Sequence, residues 1–449
     1  MGGDGGRERD IRSVVHSAEY RRLLVLSAVI GLVASVVAWS LLTVVPLIQD
    51  AVFVTLPEAL GHASPPWWWP LPVLLLAGLV TAVAITRLPG HGGGVPADGL
   101  SAGITAPRAV PGVALAALAT LGLGLVLGPS SPVIALGMGT ALFVLDRVNK
   151  DAPDRLRRVV AASGGFAALA MVLNNPLVAA IILIEAMGIG GSTAALLVVP
   201  GLLAAGIGSL VYFGFGSLSG LPTDTYALAP LPLEPLEEIT VGSFALVTVA
   251  AAAAAVIGYA VVWAGQRVAA RATGRHLLLV PVAGLAVATL AIVFTQATGE
   301  SEYAVLFSGS RALAPVVQAA DSWPLATIVL LLILKAAAWS ISTGAFRGGP
   351  VFPAVFVGTV GGLVAAELTG LPYSAAIPAV VGASLVAILR LPLAAAVIAL
   401  LLGSGAGLTA TPLVIVAIVV SYFVVTALGD PTKDRERSPS GPEPESAVT

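Results

Sequence analysis

The sequence predicts an all-α integral membrane protein whose two halves repeat one unit of broken helices. Composition points there first: of 449 residues, 57% are hydrophobic and 10% charged, against about 25% charged in soluble domains. Second, many apolar windows approach the roughly 20 residues that a bilayer-spanning helix needs. Third, the frame Gly-Pro-x-x-Pro-x-x-x-x-Gly occurs twice, as Gly128-Pro129-Ser130-Ser131-Pro132 up to Gly137 and as Gly349-Pro350-Val351-Phe352-Pro353 up to Gly358. Each copy precedes another shared frame, Asn175-Pro176-Leu177 in one half and Leu391-Pro392-Leu393 in the other. The spacing between prolines is 176 − 132 = 44 residues in the first half and 392 − 353 = 39 in the second. Motifs recurring in one order at similar spacing indicate a duplication. Gly/Pro breaks at matched positions of two halves point to a transport site.

Residues 1–20 are polar and read as a cytoplasmic N-terminal segment. Leu23 to Ile48 is too long for the apolar core of a signal peptide and reads as a retained first span. Further spans are Leu71 to Ile85, Val110 to Leu127, Ala194 to Phe213, Phe244 to Ala264, Leu277 to Phe294, Ala326 to Ser340 and Pro412 to Leu428. Shorter apolar runs punctuated by Gly and Pro read as half-spanning helices, for roughly ten to twelve membrane segments in all. The first membrane repeat covers residues 21–214, an acidic, proline-rich extracellular linker 215–238, and the second repeat 239–429. The tail, 430–449, is charged and rich in Pro, Ser and Glu, a composition that predicts a disordered cytoplasmic segment.

Arginine and lysine distribution orients the chain. Arg7, Arg9, Arg12, Arg21 and Arg22, then Arg147, Lys150, Arg155, Arg157 and Arg158, then Arg267, Arg271 and Arg275 mark the cytoplasmic side. The connectors 50–69 and 216–238 hold no Lys or Arg and are placed outside, with Trp67-Trp68-Trp69 as an interfacial anchor. Both termini then lie in the cytoplasm of a multi-pass plasma-membrane protein. Net charge is −2, which gives no reason to expect nucleic acid. There is no cysteine and the four histidines are scattered, so no metal or other cofactor is expected, and the spans carry no catalytic set.

Function is written into the breaks. Besides the two repeated frames there is a third glycine-rich break, Gly90-His91-Gly92-Gly93-Gly94-Val95-Pro96. Each supplies exposed backbone N–H groups and a proline suited to the first turn of a helix. A helix start offers unpaired N–H donors and positive partial charge, an anion site. Irregular backbone at membrane depth is tolerated only when buried in protein or lining a cavity. A cation site would instead call for carboxylates or carbonyl rings, and no paired acidic residues occupy the breaks. The competing reading of these glycines is close helix packing.

These residues resemble the CLC family of chloride channels and chloride/proton exchangers. That family is marked by GSGIP, G(K/R)EGP, an FNAPL-to-IEEM helix and GxFxP. The counterparts are Gly92-Gly93-Gly94-Val95-Pro96, Gly128 to Pro132, Leu173-Asn174-Asn175-Pro176-Leu177 to Ile184-Glu185-Ala186-Met187, and Gly349 to Pro353. The resemblance covers nearly the whole chain in motif order. It implies a CLC-like fold of two inverted-topology repeats, an ion path in each subunit, and a homodimer in the lipid bilayer. It also implies chloride or a similar small anion as the transported partner, with Gly93, Gly94, Val95, Pro129, Ser130, Ser131, Gly349, Pro350, Val351 and Phe352 along the path. Departures then carry weight. The gating glutamate of GREGP is matched by Ser130, and the exchangers' inner proton glutamate by Ala186, beside Glu185. The GSGIP serine is matched by Gly93 and the GxFxP phenylalanine by Val351. No tyrosine follows Leu428-Gly429-Asp430-Pro431 where the family's central tyrosine is expected; Tyr422 lies upstream. Without titratable groups for a relay, the expected activity is passive, uncoupled anion conduction, with Ser130 at the gate position.

Single charges are weighed separately. Glu185 is read as a pathway residue or a paired interfacial carboxylate. Lys335 is read as snorkelling, as paired, or as raising anion occupancy before the last break. Arg347 is read as a vestibule charge or as a partner for a carboxylate. Ser130 and Ser131 are read as hydroxyl donors or as helix N-caps. Two further functions stay open: a coupled carrier of another anion or small solute on the same fold, and a non-conducting structural paralogue.

Overall fold

The structure is a computed structural model that describes residues 17–100, 103–188, 192–219, 226 and 228–429. The tail 430–449, expected to be disordered, lies outside the described residues. The first half runs α1 (Ala18–Asp50), α2 (Pro70–Arg87), α3 (Val110–Gly122), α4 (Ser130–Val148), α5 (Asp154–Leu173), α6 (Pro176–Ala186) and α7 (Ser192–Ser219). The second runs α8 (Val241–Ala272), α9 (His276–Thr298), α10 (Leu313–Ala319), α11 (Leu325–Ala345), α12 (Val351–Thr369), α13 (Tyr373–Leu389), α14 (Pro392–Leu402) and α15 (Thr411–Leu428). Among the described residues, ten helices are long and apolar enough to cross a membrane.

The two repeated frames start matching helices in the two halves. α4 and α12 each have 19 residues and begin one residue after the Gly-Pro of their frame. α6 and α14 each have 11 and begin at the proline of the second frame. Each of these short helices follows a residue in the left-handed region, Asn174 at φ +50° and Arg390 at φ +55°. Small residues let the backbones approach, as membrane helices require. At the α4–α5 crossing, a methyl on Gly137 would overlap the carbonyl of Gly164, and one on Gly164 would overlap that of Gly137. At the α12–α13 crossing, a methyl on Gly358 would lie 2.7 Å from Val381 Cα. α2 and α9 join the halves the same way, with Gly78 set against Pro281. α5 and α13 end up almost wholly buried at the centre, α13 from Ser374 to Leu389 without interruption.

One sequence expectation changes. The run Val110 to Leu127 is not one helix: α3 stops at Gly122, and Gly124 takes φ +101°, a conformation L side chains rarely adopt. Leu125, Val126 and Leu127 continue as buried non-helical backbone toward the first frame. The linker is also more than a tether. Leu228, Leu231 and Leu236 are buried, and the N–H groups of Leu231 and Leu236 donate to Leu402 O (2.8 Å) and Ala406 O (3.0 Å).

Candidate functional site

The two repeated frames meet. Gly128 N–H donates to Gly349 O at 2.8 Å and Gly349 N–H to Gly128 O at 2.6 Å, an antiparallel bridge joining the halves inside the protein. Each bridge strand turns directly into a helix, α4 and α12, with Pro129 and Pro350 in the N-cap positions. A cap proline offers no side-chain acceptor, and no side chain caps either helix. The third helical position is also proline in both, Pro132 and Pro353. Ser130, Ser131, Val351 and Phe352 therefore present first-turn N–H groups with no intrahelical acceptor. A methyl on Gly349 would sit 2.9 Å from Ser130 N and 2.8 Å from Ser131 N, and would overlap Ser130 Oγ. Only a bare glycine lets the bridge lie this close to α4's first donors.

The hydroxyls of Ser130 and Ser131 are buried and without a hydrogen-bond partner. The N-cap reading of these serines is corrected: they stand inside the helix, past the cap, with their donors free. Positive helix-end charge and unpaired N–H and O–H groups in one buried place favour a small anion.

The first break behaves differently. Gly92, Gly93 and Gly94 lead into a short 3₁₀ turn, Pro96–Asp98, instead of an α-helix. Gly92 and Gly93 take φ +73° and +103°, so consecutive glycines spend their freedom on reversing the chain. The convergence of three helix starts reduces to two. The Gly90–Pro96 break reaches the Gly349 frame through Arg347, whose Nε donates to His91 O at 3.2 Å and whose Nη1 donates to Phe346 O at 3.1 Å. Arg347 is buried, and Gly92 lies against its aliphatic stem.

Lys335 does not snorkel. It is fully buried in α11, with Nζ donating to Leu306 O (2.8 Å) and Phe307 O (3.0 Å) and lying 4.6 Å from the Phe356 ring centre. It pins a buried loop between α9 and α10 to the first turns of α12. Phe307 N–H in turn donates to Gly124 O at 2.9 Å, so this loop also supports the approach to the first frame.

Glu185 is a cap. Its carboxylate accepts from Leu393 N–H (3.0 Å) and Ala394 N–H (2.8 Å) at the start of α14. In the first half Asn175 caps its own helix, accepting from Leu177 and Val178 N–H. Leu391 cannot do so, and Glu185 from the other repeat supplies the missing acceptor. Tyr422 is half-exposed on α15 and turns away from the buried core. Sequence reasoning missed Tyr226 on the linker, Gln49 at the end of α1, and the loop 306–310. The available signals were a lone aromatic in a linker without Lys or Arg, a glutamine closing an apolar run, and Ser308-Gly309-Ser310.

The fold and the joined helix starts define a class: a multi-pass, all-α membrane ion transporter built from two inverted repeats. The profile of the voltage gated chloride channel family matches residues 91–426. The chain belongs to that family, the CLC family. Curated relatives include the ion-transport protein YfeO of Escherichia coli SMS-3-5, 29% identical over 358 residues covering 77% of this chain and 79% of the relative. YfeO of E. coli O1:K1 / APEC is 30% identical over 356 residues, with the same coverage. Among solved structures, a slow cyanobacterial Cl⁻/H⁺ antiporter aligns at TM-score 0.74 and 18% identity, covering 93% of this chain and 97% of its own. A CLC-type fluoride/proton antiporter aligns at TM-score 0.67 and 20% identity, covering 91% and 96%. At these identities the structures speak to fold alone.

Proposed function

We propose that this CLC-family transporter conducts a chloride-sized anion passively, past the joined starts of α4 and α12. One observation carries the reading: the Gly128–Gly349 bridge brings together two uncapped helix starts, with the unpartnered hydroxyls of Ser130 and Ser131 beside them. Backbone donors stabilise a halide without a bare buried cation, and they bind no proton. Ser130 stands at the gate position and Ala186 at the inner proton position, so neither end of a carboxylate relay is present. Glu185 is engaged in capping α14. The working unit in this reading is a homodimer in the plasma membrane, one path per subunit, with the arginine-rich side and both termini in the cytoplasm.

A second reading is coupled exchange, favoured by the fact that both structural neighbours are described as proton antiporters. Reconstitution separates the two. Under an imposed chloride gradient, passive conduction dissipates the gradient and leaves protons at equilibrium. Proton uptake against its own gradient would refute the uncoupled reading.

A further inference from the structure

We infer that Tyr226 and Phe352 form an aromatic gate between a cavity on the linker face and the joined helix starts. The inference rests on the anion path proposed above and names what closes it. A cavity of about 410 Å³ is lined by Tyr226, Gln49, Phe307, Ser310, Arg311 and Trp323, among others. A smaller one of about 70 Å³ is lined by Phe352 and Val355 and shares Gly309 and Ser310 with the first. Between the large cavity and the frames stand two buried rings. Tyr226 meets Phe352 edge-on, with ring centres 5.8 Å apart and planes at 76°. Phe352 in turn lies against Gly128, where an added methyl would come within 2.9 Å of Cδ2. Cavity, tyrosine, phenylalanine and bridge therefore follow one another in contact.

The pair suits a barrier that opens by moving one ring. Two apolar faces in contact exclude water and with it a hydrated anion, which is how hydrophobic constrictions close. Phe352 stands in the first turn of α12, whereas Tyr226 lies between α7 and α8. Its hydroxyl has one weak tie, accepting from Gln49 Nε2 at 3.4 Å, while the same amide nitrogen donates to Leu121 O at 2.9 Å. The adjoining cavity gives the displaced ring somewhere to go. Burial pushes the phenol up to about 12, so the ring meets the anion uncharged. Ser130 is fully buried against Gly349, across the bridge from Gly128, and has no carboxylate with which to close the path itself.

The absence of cysteine from the chain makes the test clean. Ser130→Cys reports access to the helix starts, and Ser310→Cys reports access to the cavity in front of the gate. Each is labelled in proteoliposomes with a small anionic methanethiosulfonate from the linker face, in backgrounds carrying Tyr226, Tyr226→Phe or Tyr226→Ala. A gate open in a minor state of about 0.1–10% predicts that Tyr226→Ala speeds labelling of Ser130→Cys by about tenfold or more. Tyr226→Phe keeps the ring and stays near the parent rate, and Ser310→Cys labels alike in all three backgrounds. Equal labelling of Ser130→Cys with and without the ring, in monodisperse protein, overturns the gate. Chloride flux measured in parallel separates the two proposals. A labelling difference without flux in the wild type would sink conduction and leave the gate standing.

Discussion

Gly349→Ala probes the centre of the site. The new methyl would overlap Ser130 Oγ and lie 2.9 Å and 2.8 Å from Ser130 N and Ser131 N. The hydroxyl can rotate away, but the two nitrogens are backbone and held by α4, so the bridge must spread and the first donors of α4 move relative to those of α12. Overpacking of this kind costs about 1–3 kcal/mol of stability. Losing one or two hydrogen bonds to a charged partner, at about 1.5–3 kcal/mol each, weakens binding by roughly 10- to 1,000-fold or more on the scale of about 1.4 kcal/mol per tenfold. Chloride binding is read by calorimetry in detergent and transport by efflux from liposomes, with gel filtration and circular dichroism reporting on folding. Gly361→Ala, on the helix that follows the bridge, is the control, since its methyl meets only Val380 Cγ1 at 3.3 Å. Folded Gly349→Ala protein that binds and passes chloride like the wild type would refute the assignment of these helix starts to the anion.

Glu185→Ala removes two charge-assisted bonds at a partly exposed helix start and lowers stability by about 1–2 kcal/mol; a thermal melt shows the loss while chloride flux holds. Collapsed flux with an unchanged melt would return Glu185 to the pathway. Lys335→Met strands Leu306 O and Phe307 O in the interior, a loss of about 2–4 kcal/mol seen as a lower melting midpoint. A melt as high as the wild type's would show that the loop does not depend on Lys335. Ser130→Glu places a carboxylate among the helix-start donors and produces a block that deepens as pH rises through the carboxylate range, about 4.3 in the absence of perturbation. The wild type stays flat over the same range, and a flat Ser130→Glu profile would remove position 130 from the path.

Much of the molecule was legible in the chain because the signals were local. Apolar run length marked the spans, and the duplicated Gly-Pro frame marked the helices that begin at Ser130 and Val351. Position-by-position resemblance set Ser130 and Ala186 opposite the family's gating and proton glutamates. The sequence by itself determined that this is a membrane protein of two like halves whose breaks bear donors and no relay acids. Tertiary structure alone decided which breaks meet. The frames lie 349 − 128 = 221 residues apart, and no local pattern encodes their bridge or sets Gly93 apart from it. The same holds for Glu185, whose partner helix begins in the other repeat, and for Lys335, whose acceptors are carbonyls that every residue carries. Tyr226 is the clearest case. A lone ring in a linker acquires meaning only where packing seats it against Phe352, because burial and contact are properties of the folded chain.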